Sequence, residues 1–426
     1  MRGELAEGQQ NQRATTPIMS RLLPQSADAD AGWLVLTRAL RALGDGAVSI
    51  LLVSYLQGIG FSPLEVGAIV TGTLLGSAAL TLAVGLVPHG LRPLRLLKAA
   101  ALLMLATGAG FAAARSFWPL FVIAVIGTLN PSAGDVSVFL PMEQALLAET
   151  VRDSGDRTRV FAWYNVCATL TGALGALLSA VPALAARKGG FSRAAAERMG
   201  FVGYAMLAIA VLTGYLRMSP AAESSVAAMP RTPLARSRPI VMRLAALFSL
   251  DSFGGGFVVQ SLLVLWLLRR FGLSTQVTAA VFFAAGLLSG LSQFVSAWLA
   301  ERIGLVNTMV FTHLPANLFL VIAGLMPTAP LAISFLLLRI LLSQMDVPAR
   351  QSYVMAVVPP QERPAAASVT NVPRSLAAAL SPLLAGAMLN WSAFGWPLIC
   401  GGVLKSAYDV LLLIQFSTVK PHPQGE

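Results

Sequence analysis

Asp45, Asp135, Asp251 and Arg339 each stand inside a long apolar stretch, and Lys405 and Asp409 stand four residues apart in another. An ionisable side chain held in hydrocarbon costs about 2.5 to 3.5 kcal/mol even on insertion scales, so it faces a partner or a polar cavity. Two chemistries are open to such an acid. A carboxylate partly withdrawn from water can load and release a proton. Alternatively it pairs with a base and pins two helices together, the common solution for a buried ion. Arg38 and Arg41, about two turns and one turn before Asp45, offer that pairing. Asp135 has no basic residue within two turns of its own helix, which makes it the first choice for a proton-carrying acid. Lys405 and Asp409 share one helical side and are expected to neutralise each other, or else to reach a neighbour.

Other chemistries are poorly supplied. There are only three histidines, at 89, 313 and 422, with no HExxH pair and no Gly-Lys-Ser/Thr phosphate loop. Neither metal-dependent hydrolysis nor nucleotide-driven work is expected, and no cofactor, metal or enzymatic activity is called for. His313, two residues before Pro315, reads as structural. Gly172, Gly175 and the run Gly254-Gly255-Gly256 lack the setting of a phosphate loop and are expected where helices approach closely. Cys167 and Cys400 lie within apolar stretches, where a thiol packs as a small hydrophobe.

The elements that must hold these residues are set by composition. With 56% hydrophobic and 12% charged residues, the chain is built for a bilayer rather than for water. A hydrocarbon core about 30 Å thick takes roughly 20 apolar residues per helix. Twelve such spans are read at 33–58, 63–87, 95–115, 118–140, 159–184, 200–217, 243–268, 275–300, 305–326, 330–349, 364–390 and 394–417. Trp33, Trp118, Trp163, Trp266, Trp298, Trp391 and Trp396 all fall near proposed ends, where indole prefers the membrane interface. Residues 1–32 are polar and lack the apolar core of a cleavable signal, so they read as a disordered tail.

The net charge of +11 would suggest nucleic acid for a soluble protein, but most Arg and Lys lie in alternate loops. By the positive-inside rule that side is cytoplasmic and holds both termini, and no nucleic-acid partner is expected. Arg187, Lys188, Arg193 and Arg198 fall on the other side. They are read as an exposed surface helix, with an anion funnel as the sharper alternative.

The chain also repeats itself. Gly60-Phe61-Ser62 after the first span matches Gly272-Leu273-Ser274 after the seventh, at an offset of 212 positions. Pro141 and Gln144 match Pro348 and Gln351 at an offset of 207, and Arg157 and Asn165 match Arg363 and Asn371 at 206. Two parallel six-helix halves follow, a plan common among carriers. The corresponding segments are an N-terminal tail 1–32, a bundle 33–217, a linker 218–242, a second bundle 243–417 and a tail 418–426.

On these grounds the chain resembles the major facilitator superfamily over residues 33–417. The loop signature of that family, a small residue, an acid, an Arg and a Gly, stands as Ala297, Glu301, Arg302 and Gly304 in AWLAERIG. Its first copy, GLVPHGLRPLR, is degenerate, with His89 in place of the acid. The stretch from Arg339 to Ser375 looks like the family's junction between helices 10 and 11. There Pro348, Arg350, Gln351 and Arg363 are expected to shape a loop packed on the next bundle.

The resemblance implies an all-α membrane protein of twelve helices in two six-helix pseudo-symmetric bundles. It puts helices 1, 4, 7 and 10 around a central cavity, and so places Asp45, Asp135, Asp251 and Arg339 there. It implies a gating lock at Glu301, Arg302 and Gly304. The expected function is secondary active transport of a small-molecule substrate by alternating access in the cell membrane, as a monomer within the lipid bilayer. Protons are the expected coupling ion and efflux the expected direction. Asp45 and Arg339 are expected to meet at mid-membrane. Arg339 would equally suit an imported carboxylate or oxyanion. A membrane sensor is the poorer alternative, since the longest segments outside the spans run to only about 32 residues.

Overall fold

The computed structural model describes residues 23–24, 26–86, 92–132, 137–151, 154–190, 192–219, 237–359 and 362–416. Apart from an isolated bridge between Ala27 and Val151, the described residues form no β structure. Among the described residues ten helices are long and apolar enough to cross a membrane, and two shorter apolar helices, Phe117–Ile126 and Ala329–Ser343, each supply part of one further crossing.

Crossings one to three are α1 (Ala29–Gly58), α2 (Pro63–Leu86) and α3 (Pro93–Ala113). The fourth is split into α4 (Phe117–Ile126) and α5 (Phe139–Glu149). The fifth is α6 (Ser154–Leu178), followed by the short α7 (Val181–Gly189), and the sixth is α8 (Arg193–Leu216). The seventh is split into α9 (Arg238–Gly256) and α10 (Gln260–Phe271). The eighth and ninth are α11 (Thr275–Ile303) and α12 (Leu305–Leu325). The tenth is split into α13 (Ala329–Ser343) and α14 (Asp346–Val357). The last two are α15 (Arg363–Trp391) and α16 (Trp396–Phe416).

The breaks correct the continuous spans expected at 118–140, 243–268 and 330–349, and they have local causes. Gly127 and Pro131 interrupt the fourth crossing, and the Asn130 side chain accepts from the Ser132 hydroxyl at 2.7 Å, holding the chain in a turn. The Pro131 carbonyl, freed from any helix, accepts from the Ser261 amide at 3.2 Å and from its hydroxyl at 2.7 Å. Irregular backbone inside a membrane survives only when protein groups satisfy it in this way. The Gly-rich end of α9 breaks the seventh crossing.

The sequence repeat has a structural meaning. Gly60 and Gly272 hold positive φ angles of 95° and 64°, a conformation that glycine adopts without strain. The serine two positions later then starts the next helix in both halves. Ser62 and Glu65 form a reciprocal capping box, and the Ser274 hydroxyl accepts from the Val277 amide at 3.3 Å.

Helix pairing repeats as well: α1 packs on α6 as α9 packs on α15, and α3 packs on α8 as α12 packs on α16. The α1–α6 contact is a backbone contact. A Cβ on Gly46 would lie 2.0 Å from the Gly172 carbonyl oxygen, and one on Gly175 would lie 2.0 Å from that of Leu43. In the second half, a Cβ on Gly256 would lie 2.3 Å from the Ala378 carbonyl. Gly46→Ala is therefore expected to cost about 1 to 3 kcal/mol or more, because backbone cannot yield as a side chain does. Gly203→Ala, with nothing within 4 Å, is expected to be neutral. Thermal denaturation of the two variants in detergent reads the contrast.

The two bundles meet chiefly over the half of the molecule remote from the chain ends. There Gly67 lies against Pro382 and Gly386, and Gly286 against Ala173. The Gln260 amide donates to the Ser49 hydroxyl at 2.8 Å, and the Ser261 hydroxyl donates to the Ser49 carbonyl at 2.8 Å. Trp266, expected at the interface, is instead fully buried against Phe271. The expected tail 1–32 and linker 218–242 are shortened by the structure, since α1 already begins at Ala29 and α9 at Arg238, while residues 1–22, 220–236 and 417–426 lie outside the described residues.

Candidate functional site

Each bundle contains a polar cluster. In the first, α1 presents Arg38, Arg41 and Asp45 on one face, three and then four residues apart. Arg41 pairs with Glu143 of α5, whose carboxylate is fully enclosed. That carboxylate also accepts from the Tyr164 hydroxyl at 2.6 Å, the Tyr215 hydroxyl at 2.5 Å and the Thr37 hydroxyl at 3.5 Å. A carboxylate offers about four lone-pair sites, so Glu143 is saturated. The Arg41 guanidinium also lies 4.2 Å from the Phe139 ring centroid. Asp45 is different. It is buried and hydrogen-bonded to Asn130 at the break of the fourth crossing, with Arg41 and Arg38 as its nearest sources of positive field. Among the described residues no base forms a salt bridge with it.

In the second bundle, Asp251 of α9 is ringed by basic side chains. Lys405 Nζ of α16 donates to it at 2.5 Å, Arg350 of α14 lies at 3.2 Å and His313 Nε2 of α12 at 3.8 Å. Arg350 also reaches Asp346, 3.4 Å away. Asp409, fully buried, bonds His313 Nδ1 at 2.9 Å and accepts from the Asn317 amide at 2.8 Å. The preferred Lys405–Asp409 pair within one helix is thus replaced by the alternative, with each residue tied to a neighbouring helix. Arg350 lies in α14 with its guanidinium in the bundle interior, where it was expected in a loop.

The two clusters are related by the repeat with their signs reversed. The 207-residue offset that matches Pro141 with Pro348 puts Glu143 on Arg350. The 210-residue offset that relates Gly46 and Gly256, each pressed on the next-but-three crossing, puts Arg41 on Asp251. The first half therefore joins its first and fourth crossings by Arg–Glu, and the second half joins the seventh and tenth by Asp–Arg. Glu143 was missed because the fourth span was read as ending at 140, although the repeat offset already pointed to it.

The other expected residues fall as follows. Asp135 lies outside the described residues, as do the side chains of Glu301, Pro348, Gln351 and Arg363, and so does His89. Arg302 lies 4.3 Å from the Trp298 ring of its own helix, and Gly304, at φ 83°, makes the turn from α11 to α12. Arg339 does not meet Asp45 in this conformation, and the acid that acts on it is Asp251. Of the basic residues on the remote side, Arg193 bonds Glu197 at 2.9 Å, Ser54 at 2.7 Å and, in the other bundle, Thr275 at 2.9 Å. Arg198 donates to the Ala112 carbonyl at 2.5 Å. Sequence reading assigned neither of these two arginines such a tie.

Residues 34–342 match the family described as Major Facilitator Superfamily. The chain is similar to the uncharacterized membrane protein YJR124C of Saccharomyces cerevisiae (strain ATCC 204508 / S288c), with 23% identity over 414 residues, 88% of this chain and 92% of the relative. Among solved structures, a bacterial homolog to the human lysosomal transporter Spinster, inward-facing and occupied, superimposes with a TM-score of 0.72 at 13% identity, covering 92% of this chain and 98% of that one. The nucleoside transporter NupG gives 0.67 at 15%, covering 91% and 98%, and a D-xylose-proton symporter gives 0.64 at 14%, covering 89% and 96%. At these identities the structural likeness concerns the fold. The family match over most of the chain, together with twelve crossings in two equivalent bundles, decides the assignment: the chain belongs to the major facilitator superfamily and is a multi-pass membrane protein for secondary transport.

Proposed function

We propose that the protein moves a small solute by alternating access, coupled to protons, with Asp45 as the proton-carrying acid. The observation that supports this is the contrast among the buried acids. Glu143 and Asp251 are held by arginine or lysine and Asp409 by histidine and asparagine, whereas Asp45 sits on a cavity-forming helix with only an amide bonded to it. An acid whose charge is already neutralised by a fixed cation gains little from a proton. One without such a cation can alternate between its two forms as its access to water changes. The gathering of inter-bundle contacts on one side supports rocking of the two bundles, since each bundle carries its own ion cluster and can move as a body. Efflux remains the direction proposed from the sequence.

The experiment is proton movement in proteoliposomes under an imposed pH gradient while cationic, neutral and anionic compounds are added in turn. Compound-dependent collapse of the gradient is the expected result. Transport of a compound that leaves the gradient untouched would refute proton coupling while keeping the carrier.

A further inference from the structure

In the second bundle Arg350 pairs with Asp251 and Asp346, and Lys405 pairs with Asp251. With Asp251 already engaged by Lys405 and Arg350, Arg339 forms no ion pair among the described residues. Its Nε is buried and has no hydrogen-bond partner. The side chain as a whole is partly buried. One turn further along α13, on the same face, the buried Ser343 hydroxyl also lacks a partner. In the first bundle Arg38 repeats the pattern. It is 8% exposed, its guanidinium rests 5.5 Å from the Tyr164 ring centroid, and its Nε is unpartnered. Among the described residues it makes neither a hydrogen bond nor an ion pair.

A lone guanidinium in hydrocarbon is costly, and a buried donor left unmet costs more. These unmet groups are donors, and they stand on α1 and α13, helices of opposite bundles. The ligand they lack is rich in acceptors and negatively charged. We propose that the carried solute is an anion bearing a carboxylate or phosphate group, held by Arg339 and Ser343 with Arg38 as the guanidinium of the other bundle. This rests on the transport reading above and gives it a substrate class. Arginine suits the role because its planar fork matches two oxygens of one such group.

Two measurements test it. In ligand-free detergent, Arg339→Gln is expected to raise the melting temperature, because a buried charge without a partner is removed. A fall would mean that Arg339 is a structural ion-pair member and would overturn the proposal.

The second measurement is counterflow and thermal shift in phosphatidylcholine with inorganic phosphate, succinate, citrate and glycerol 3-phosphate. Xylose and uridine serve as neutral probes and tetraphenylphosphonium as a cationic one. At least one anion is expected to bind and exchange, with its half-saturating concentration rising roughly ten- to hundredfold in Arg339→Gln. Arg339→Lys should fall between, and Arg38→Gln should weaken the same anion.

Exchange of only neutral or cationic probes would overturn the anion assignment and leave transport standing. Exchange of no probe would remove the transport reading and this one with it. Stabilisation by phosphatidylglycerol alone, lost in Arg339→Gln, would make the ligand a lipid headgroup and refute a carried anion.

Discussion

Asp45→Asn is expected to abolish gradient-driven accumulation while leaving the protein folded and able to exchange its solute across the membrane. One pH unit is worth about 1.4 kcal/mol per proton, so each proton carried supports roughly tenfold accumulation in the unaltered protein. The amide keeps the size of the carboxyl group and its hydrogen bond to Asn130 but cannot take up a proton. With no gradient imposed, counterflow should therefore persist. The decisive comparison is accumulation against counterflow in the same vesicles. If Asp45→Asn still concentrates solute tenfold per pH unit, the acid lies elsewhere, with Asp135 the next to test. Loss of both activities would mark Asp45 as a structural or substrate-binding group.

The second large effect concerns stability. Removing one partner of a buried pair leaves the other charge stranded, which costs about 3 to 5 kcal/mol. Glu143 is bound by Arg41, Tyr164, Tyr215 and Thr37, so Arg41→Gln strands a fully enclosed carboxylate. Thermal denaturation should show Arg41→Gln as the less stable of two variants when compared with Arg302→Gln, whose guanidinium, among the described residues, only stacks on an exposed tryptophan. The exchanged double variant Arg41→Glu with Glu143→Arg should recover most of the loss, since the second half of the molecule already uses an acid on the first of the two helices and an arginine on the other. If the double variant is no better than the singles, the equivalence of the two clusters is geometric only.

The fold was legible because its signals are local. Length and apolarity define a crossing, and the Gly-x-Ser marker sets a left-handed turn and a helix cap within three residues. The breaks were harder to read. Gly127, Asn130 and Pro131 are visible in the sequence, but what stabilises the opened backbone is Ser261, 130 positions away. The same distance separates sequence from site. Lys405 and Asp409 are four apart and on one side, a spacing that argues for each other, yet Asp251 and His313 on neighbouring helices offer better geometry. Helical spacing states which residues share a face, while the partner across that face depends on tertiary packing. Glu143 shows what a repeat can add, because its counterpart Arg350 had already been singled out.

The opposite polarity of the two clusters bears on how the halves came to differ. If both descend from one six-helix ancestor, one of them changed a buried cation into an anion and its partner the other way. No single exchange accomplishes this, because the first change sets two like charges together in an interior that tolerates neither. The lineage had to pass through an uncharged intermediate at both positions, or acquire the two changes together. Once crossed, that step is hard to retrace. Residues at these positions can no longer be traded between the halves one at a time, even though the surrounding glycines and helix contacts still coincide.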